Sequence, residues 1–338
     1  MSTVFQKPIQ LGVVMDPIEH IHPENDTTVH LLNAAQEKGF VISYLPQDKL
    51  FIQDGKAFGL ARPIKITQHE SSWFQETVSS EQESEPTPLT DFDIILMRKD
   101  PPFSLNYIYT TYILEMAEKA GVLVLNKPQS LRDANEKIFA SHFPHCCPLT
   151  LISQDKKSLY HFWQQEKKVV FKPLDGMAGQ SIFVAHENEL NIHVIIETLT
   201  CNGTLPIIAQ RYLPDIHQTG DKRILLLDGS PVPFALARFP SQGETRGNLA
   251  VGGKGVVVPL TERDYWLCAQ ISETLREKAL LFVGLDVIGD YITEINVTSP
   301  TGLPMIARAT SIDIAGQFID ILKKKLDTKY EPFKHHDA

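Results

Sequence analysis

The sequence predicts an α/β first part built on a doubly wound parallel sheet, followed by a mixed α+β remainder. Over the first 130 residues, short apolar runs alternate with segments of helical spacing. Beyond residue 206 the strand-like runs lengthen and are joined as hairpins. At 338 residues the chain exceeds what one hydrophobic core ordinarily organises, so two or three domains are expected.

Residues 9–15 are an apolar run stopped by Asp16-Pro17, the pattern of a buried strand entering a loop. Asn25 and Asp26 supply N-caps for a helix in which Val29, Leu32 and Ala35 recur until Gly39 ends it. Residues 40–45 form a second strand. Asp54-Gly55 sits between Leu50-Phe51-Ile52 and Ala57-Phe58 as a hairpin signal, and the polar stretch 79–90 is a loop. A strand at 93–97 runs into the turn Asp100-Pro101-Pro102, a helix covers 106–119, and 122–125 is the next strand. Ligands of such sheets bind beyond the carboxyl ends of the strands, which places Arg98 well to meet one. After Asn126-Lys127-Pro128, helices are predicted at 130–140 and 156–166, then strands at 169–172, 206–212, 222–228, 232–238 and 281–297, with helices at 262–279 and 310–325.

Composition narrows the class. Hydrophobic residues at 43% and charged residues at 22% describe a soluble globular protein. The net charge of −9 argues against a sequence-independent nucleic-acid binder, which needs a basic face. No apolar run is long enough for a bilayer, and the first residues lack a signal pattern, so no membrane partner and a cytoplasmic location are expected. Cys146, Cys147, Cys201 and Cys268 show no metal-ligand spacing and are expected to be free buried thiols.

Three segments carry chemistry. Lys172-Pro173 precedes the loop 175–181, where Gly176 and Gly179 could let backbone N–H groups approach phosphate oxygens. It is not a P-loop, and taken alone a plain hairpin turn explains it better. Residues 285–297 form a hairpin with Asp286 on one strand and Glu294 and Asn296 on the next. Glu294 and Asn296 share a face, and hard oxygen donors on one face suit Mg²⁺. Asp286 joins them only if an odd number of residues separates the strands. A three-residue turn at 289–291 satisfies this; a two-residue turn at Gly289-Asp290 puts Asp286 on the wrong face. The third segment, 242–255, holds five of the 19 glycines together with Arg246 and Lys254, and Arg238 just precedes it. A long loop of this kind is a disordered linker or a lid, and its place between strands favours a lid closing positive charge over an anion.

In order along the chain, LGVVMDP (11–17), MRKDPPF (97–103), NKPQSLRD (126–133), KPLDGM (172–177), GETRGN (243–248) and TEINVTSPT (293–301) resemble the bacterial glutathione synthetases. The resemblance implies an ATP-grasp fold: an N-terminal parallel α/β domain (1–130), a central lobe (131–205) and a C-terminal lobe (206–330) with a lid at 240–255, the two lobes clasping ATP. It implies ligation of γ-glutamylcysteine to glycine with ATP and Mg²⁺, or Mn²⁺ in its place, in a cytoplasmic homo-oligomer. Residue by residue, it implies that Lys137 and Lys172 contact the phosphates under the loop of Gly176 and Gly179. Gln210, Tyr212 and Leu213 would border the adenine, with Asp221 near the nucleotide. Asp286, Glu294 and Asn296 would hold the metal, Arg98 a substrate carboxylate, and Arg238 and Arg246 the acceptor and intermediate. Two departures stand out: Ala178 replaces a glycine of the phosphate loop, and Leu303-Pro304-Met305-Ile306-Ala307 replaces a stretch with arginine and acidic residues. A ligase with another donor or acceptor, or a non-catalytic ATP-binding regulator, would carry the same motifs. Retention of the metal set, both lysines and the lid argues against the regulator.

Overall fold

The strand Gln10–Met15 is flanked by parallel partners on both edges, Val41–Pro46 and Ile94–Met97, and five of its six residues are buried. Burial on both faces explains why it reads as a continuous apolar run. The structure, a computed structural model, describes residues 7–69, 72–77, 85–176, 179–241, 247 and 252–330. Leu123–Leu125 extends the parallel set, but Arg62–His69 and Ser72–Glu76 add to the opposite edge antiparallel, so the six-stranded sheet is mixed rather than wholly parallel. The alternation of buried Ile64 and Ile66 with Lys65 was the available signal for the added strands. Asp26 caps the helix Thr27–Glu37 by accepting the Val29 N–H at 2.9 Å.

Two predicted helices are broken by local chemistry. The segment 130–140 divides into Pro128–Asp133 and a 3₁₀ turn, Phe139–His142. Between them the Asn135 side chain accepts the N–H groups of Lys137 and Ile138, each at 3.1 Å, an alternative to helical bonding. The segment 310–325 belongs to two helices, Leu303–Thr310 and Ile314–Tyr330, parted at Ser311 with φ of 58°. A helix at Ile192–Leu199, not anticipated, buries Ile192, Ile196 and Leu199.

A four-stranded antiparallel sheet (Thr150–Ser153, Ile207–Arg211, Val169–Pro173, Phe183–Ala185 in spatial order) has its own core around Leu159, Phe171 and Ile196. A five-stranded antiparallel sheet runs Lys254–Pro259, Ser230–Phe239, Asp221–Leu227, Phe282–Ile288, Tyr291–Asn296. Lys254 and Gly255, predicted as lid, are paired strand residues opposite Phe239 and Arg238. This sheet shares both of its cores with the first one. Ile224 and Ile295 pack in a cluster with Val14 and Ile95, while Leu225 and Leu236 pack with Leu11 and Ile42. Asn126 pins the junction. Its Nδ2 donates to the Phe282 and Val297 carbonyls, and its Oδ1 accepts the Leu281 and Phe282 N–H groups.

The four cysteines are free thiols, Cys201 exposed rather than buried. Among the described residues, no helix is long and apolar enough to cross a membrane.

Candidate active site

The strand Asp221–Leu227 turns Asp221 and Arg223 to one face because they are two residues apart. Register does the rest. Asp221 stands opposite Arg238, Arg223 opposite Asp286, and Asp286 opposite Glu294. Charge therefore alternates across the sheet until it reaches two adjacent carboxylates.

Arg223 grips Asp286 with two hydrogen bonds, Nε to Oδ1 at 2.5 Å and Nη2 to Oδ2 at 3.0 Å. Arg238 Nη2 lies 3.1 Å from the same Oδ2 and donates to Asp221 Oδ2 at 2.6 Å. Burial alone would raise the Asp286 pKa, but the two guanidinium groups hold it well below the usual carboxylate range. Arg238 is also buried, which would lower its pKa, yet Asp221 and Asp286 together push it up. Asp221 is less well compensated. Its Oδ1 is buried without a partner among the described residues, and burial pushes the carboxyl up to about 6 despite Arg238. Gly284 makes room for the clamp: a Cβ there would lie 3.0 Å from Arg223 Cδ and 2.7 Å from Pro300 Cβ.

The turn between the hairpin strands corrects the expectation. Ile288 pairs with Tyr291, so the turn has two residues, Gly289 and Asp290. The odd residue is Thr293, a β-bulge between the pairs Val287–Ile292 and Asp286–Glu294, and it restores Asp286 and Glu294 to facing positions. Thr293 Oγ1 donates to the Asp286 carbonyl at 3.3 Å.

Lysines meet this face from the other side. Lys172 Nζ is 3.6 Å from Glu294 Oε1 and Lys137 Nζ is 3.9 Å from it. Lys137, 3% exposed, also pairs with Glu136 and donates to the Gly176 carbonyl at 2.9 Å. Burial opposes its charge, but Glu294 and Glu136 raise its pKa. Burial and Glu294 in turn push the Glu136 carboxyl up. Gly176 is required where it stands, since a Cβ would lie 2.6 Å from Pro173 Cγ.

These groups line one cleft of about 680 Å³. It gathers Lys137, Lys172, Gly176, Gly179, Gln210, Tyr212, Leu213, Asp221, Arg238, Asp286, Glu294 and Asn296. At one wall the Tyr212 N–H is used on the Lys168 carbonyl at 3.0 Å, while the Leu213 N–H has no partner among the described residues. Arg98 is not part of the lining. It is 5% exposed, donates to Thr28 Oγ1 and the Pro300 carbonyl at 3.1 Å each, and supports the floor under the 300–302 turn. Arg246, most of the lid, and the departure at Ala178 lie outside the described residues. Gly247 is described and lines the cleft, where a Cβ would meet the Arg238 carbonyl at 2.5 Å.

The sequence analysis missed Arg223, Glu136 and Asp100, all of which line the cleft. For Arg223 the signal was present: it is two residues from Asp221 in a strand whose inward positions should be apolar. Among the described residues no three His, Cys, Asp or Glu side chains converge as a metal cage. Mg²⁺ bound through one or two carboxylates and substrate phosphates needs none. Asn296 Nδ2 is buried without a partner among the described residues, and a cation there would take the amide oxygen instead.

The fold recurs in solved structures. D-cycloserine synthetase DcsG superposes with a TM-score of 0.64 at 14% identity, over 94% of this chain and 99% of that one. The ATP-grasp ligase PsnB gives 0.57 at 14%, over 94% and 98%. Fold and site together define an ATP-grasp ligase. Residues 9–132 match the model of the prokaryotic glutathione synthetase N-terminal domain and 136–311 that of its ATP-grasp domain. The glutathione synthetase of Pseudomonas syringae pv. tomato is 52% identical over 95% of this chain and 99% of its own length, and that of Coxiella burnetii 50% over 95% and 98%. The chain belongs to the prokaryotic glutathione synthetase family, and ATP-dependent ligation to form glutathione is the activity of that family.

Proposed function

We propose that this cleft joins γ-glutamylcysteine to glycine, consuming ATP and releasing ADP and phosphate. The observation that supports it most is the convergence of Lys137 and Lys172 on Glu294, beside the Arg223–Asp286–Arg238 clamp.

A carboxylate is a poor acylating agent, so the cysteinyl carboxylate of the donor first takes the γ-phosphoryl group. This transfer needs alignment and neutralisation of charge more than covalent help. Lys137 and Lys172 supply positive charge to the phosphates and exchange their present carboxylate partners for them. The free Leu213 N–H offers a donor to the adenine edge at the wall of Gln210 and Tyr212. Glu294 and Asn296 are the donors best free to hold Mg²⁺, or Mn²⁺ in its place, with Asp286 behind them under its arginines. When bound, the metal supplies charge neutralisation to phosphate oxygens. The glycine amine then attacks the acyl carbon, phosphate leaves, and the amine gives up its proton. Arg238 and Arg223 would stabilise the oxyanion of the tetrahedral species, and Arg246, which the resemblance assigns to the acceptor and intermediate, would help exclude water. The same reading divides the chain at about residues 130 and 205 and takes the active form as a cytoplasmic homo-oligomer.

Coupled ADP release, with each substrate omitted in turn, tests this. Release that needs ATP, γ-glutamylcysteine and glycine together is the expected result; ADP release indifferent to glycine would overturn it.

A further inference from the structure

Five carboxylates line the cleft among the described residues: Asp100, Glu136, Asp221, Asp286 and Glu294. Four of them have a lysine or arginine nitrogen within 4 Å. Asp100 has none among the described residues, although two basic residues precede it directly. Lys99 is committed elsewhere: its Nζ donates to Asp16 Oδ1 at 2.6 Å and to the Asp100 main-chain carbonyl at 3.2 Å. Arg98 donates through Nε to Thr28 and through Nη2 to Pro300 and forms no ion pair with Asp100 among the described residues.

Asp100 is nonetheless held in place. Its N–H donates to Asp16 Oδ2 at 2.9 Å, and Ser299 hydrogen-bonds to its side chain. The groups facing it are a buried Arg98 and two further acids, Asp16 and Asp26. Burial raises its pKa above the ordinary range, and the neighbouring acids add to the effect. A fixed carboxyl in a cleft, short of positive charge, is complementary to a cationic ligand group.

We infer that Asp100 receives the α-ammonium group of the γ-glutamyl donor, and so sets the preference for a donor bearing that charge. The inference rests on the proposed ligation. Two substrates of that reaction carry an ammonium group. The amine of glycine must lose its proton to attack, and a carboxylate partner would hold the proton on. The ammonium of the donor takes no part in the chemistry and lies at the far end of the molecule from the reacting carboxylate. Asp100 fits that requirement. It comes from the loop after the strand Ile94–Met97 of the first sheet, whereas the charged row belongs to the five-stranded sheet.

The test compares γ-glutamylcysteine with N-glutarylcysteine, the same donor with hydrogen in place of the ammonium group. The wild-type enzyme is expected to prefer the charged donor in kcat/KM by about tenfold to a hundredfold, the range of a hydrogen bond to a charged group. Asp100→Asn should abolish most of that preference through KM for the donor, with KM for ATP and for glycine unchanged. A general structural defect would not move the ratio between donors. Equal use of both donors by the wild type overturns the proposal, as does full preference in a folded Asp100→Asn or Asp100→Ser variant. Failure of the wild type to form glutathione at all would instead sink the ligase reading on which it stands.

Discussion

Glu294 faces Asp286 across a hairpin whose two-residue turn, by alternation alone, would have set them on opposite faces; the single extra residue at Thr293 reverses that outcome. Bulges recur next to active sites because they re-aim a side chain without breaking the sheet. Here the re-aimed side chain is Glu294, brought within 3.6 Å of Lys172. Glu294→Ala should therefore reduce glutathione formation by at least about a hundredfold, more than loss of an outer-shell partner ordinarily costs. Coupled ADP release measures it, and near-normal turnover in a folded variant would falsify the metal assignment.

Arg223 and Asp286 form a buried pair whose charges are worth most together. Removing one partner of such a pair leaves the other charged and poorly solvated, at a cost of about 3–5 kcal/mol. Arg238 still contacts Asp286 in an Arg223→Ala variant, so the lower end of that range is expected. Urea unfolding checks it. Arg223→Lys should recover little, because an ammonium cannot reproduce the two-pronged contact of Nε and Nη2. An unchanged unfolding midpoint in the alanine variant would show that the clamp is not maintained in solution.

Asp221 predicts a pH dependence of stability. Its folded pKa of about 6 lies above the 3.8 of a solvated aspartate, so the folded state binds this proton more tightly than the unfolded state. The stability gained from that proton is fully present below about pH 4 and is lost as pH rises through 6. The difference amounts to something on the order of 2–3 kcal/mol. Asp221→Asn carries no titrating group there. Its unfolding free energy should gain on the wild type between pH 4 and pH 7. A constant gap between the two proteins over that interval would show that burial does not shift Asp221.

Local signals made much of the molecule legible. Asp26 and Gly39 bracket the first helix, and the apolar run 9–15 marks the central strand, because capping and burial act on neighbouring residues. The site motifs were legible through resemblance, and twelve of the singled-out residues do line one cleft. What escaped depends on contacts between distant segments. The role of Arg223 appears only once register sets it against Asp286, 63 positions away. Arg98 sits correctly at the end of its strand, but the turn at Pro300, 202 positions away, covers it and takes its Nη2. The Thr293 bulge has no glycine or proline to announce it, and two-residue turn chemistry at Gly289-Asp290 is as good as three-residue chemistry until the strands are paired.

Asn126 ties the first sheet to the hairpin of Asp286 and Glu294, and its removal should separate stability from catalysis in an informative way. The side chain is 5% exposed and all four of its hydrogen bonds go to main-chain groups at the base of that hairpin. Two of these groups belong to Phe282, the first residue of one strand, and a third is the carbonyl of Val297, the residue after Asn296. Asn126→Ala would leave buried donors and acceptors unpaired, at about 1–3 kcal/mol each before relaxation, so a loss of roughly 3–5 kcal/mol in urea unfolding is expected. Asn126→Asp keeps the acceptor for the Leu281 and Phe282 N–H groups but turns an oxygen toward the Phe282 and Val297 carbonyls. It should therefore be no more stable than the alanine variant at pH 7 and should recover in acid, where a protonated carboxyl can donate again. Because Val297 adjoins Asn296, both variants should also need more Mg²⁺ for half-maximal turnover, while KM for glycine stays near its wild-type value. A variant that is destabilised yet keeps its Mg²⁺ requirement would show that the pin supports the fold without positioning the site.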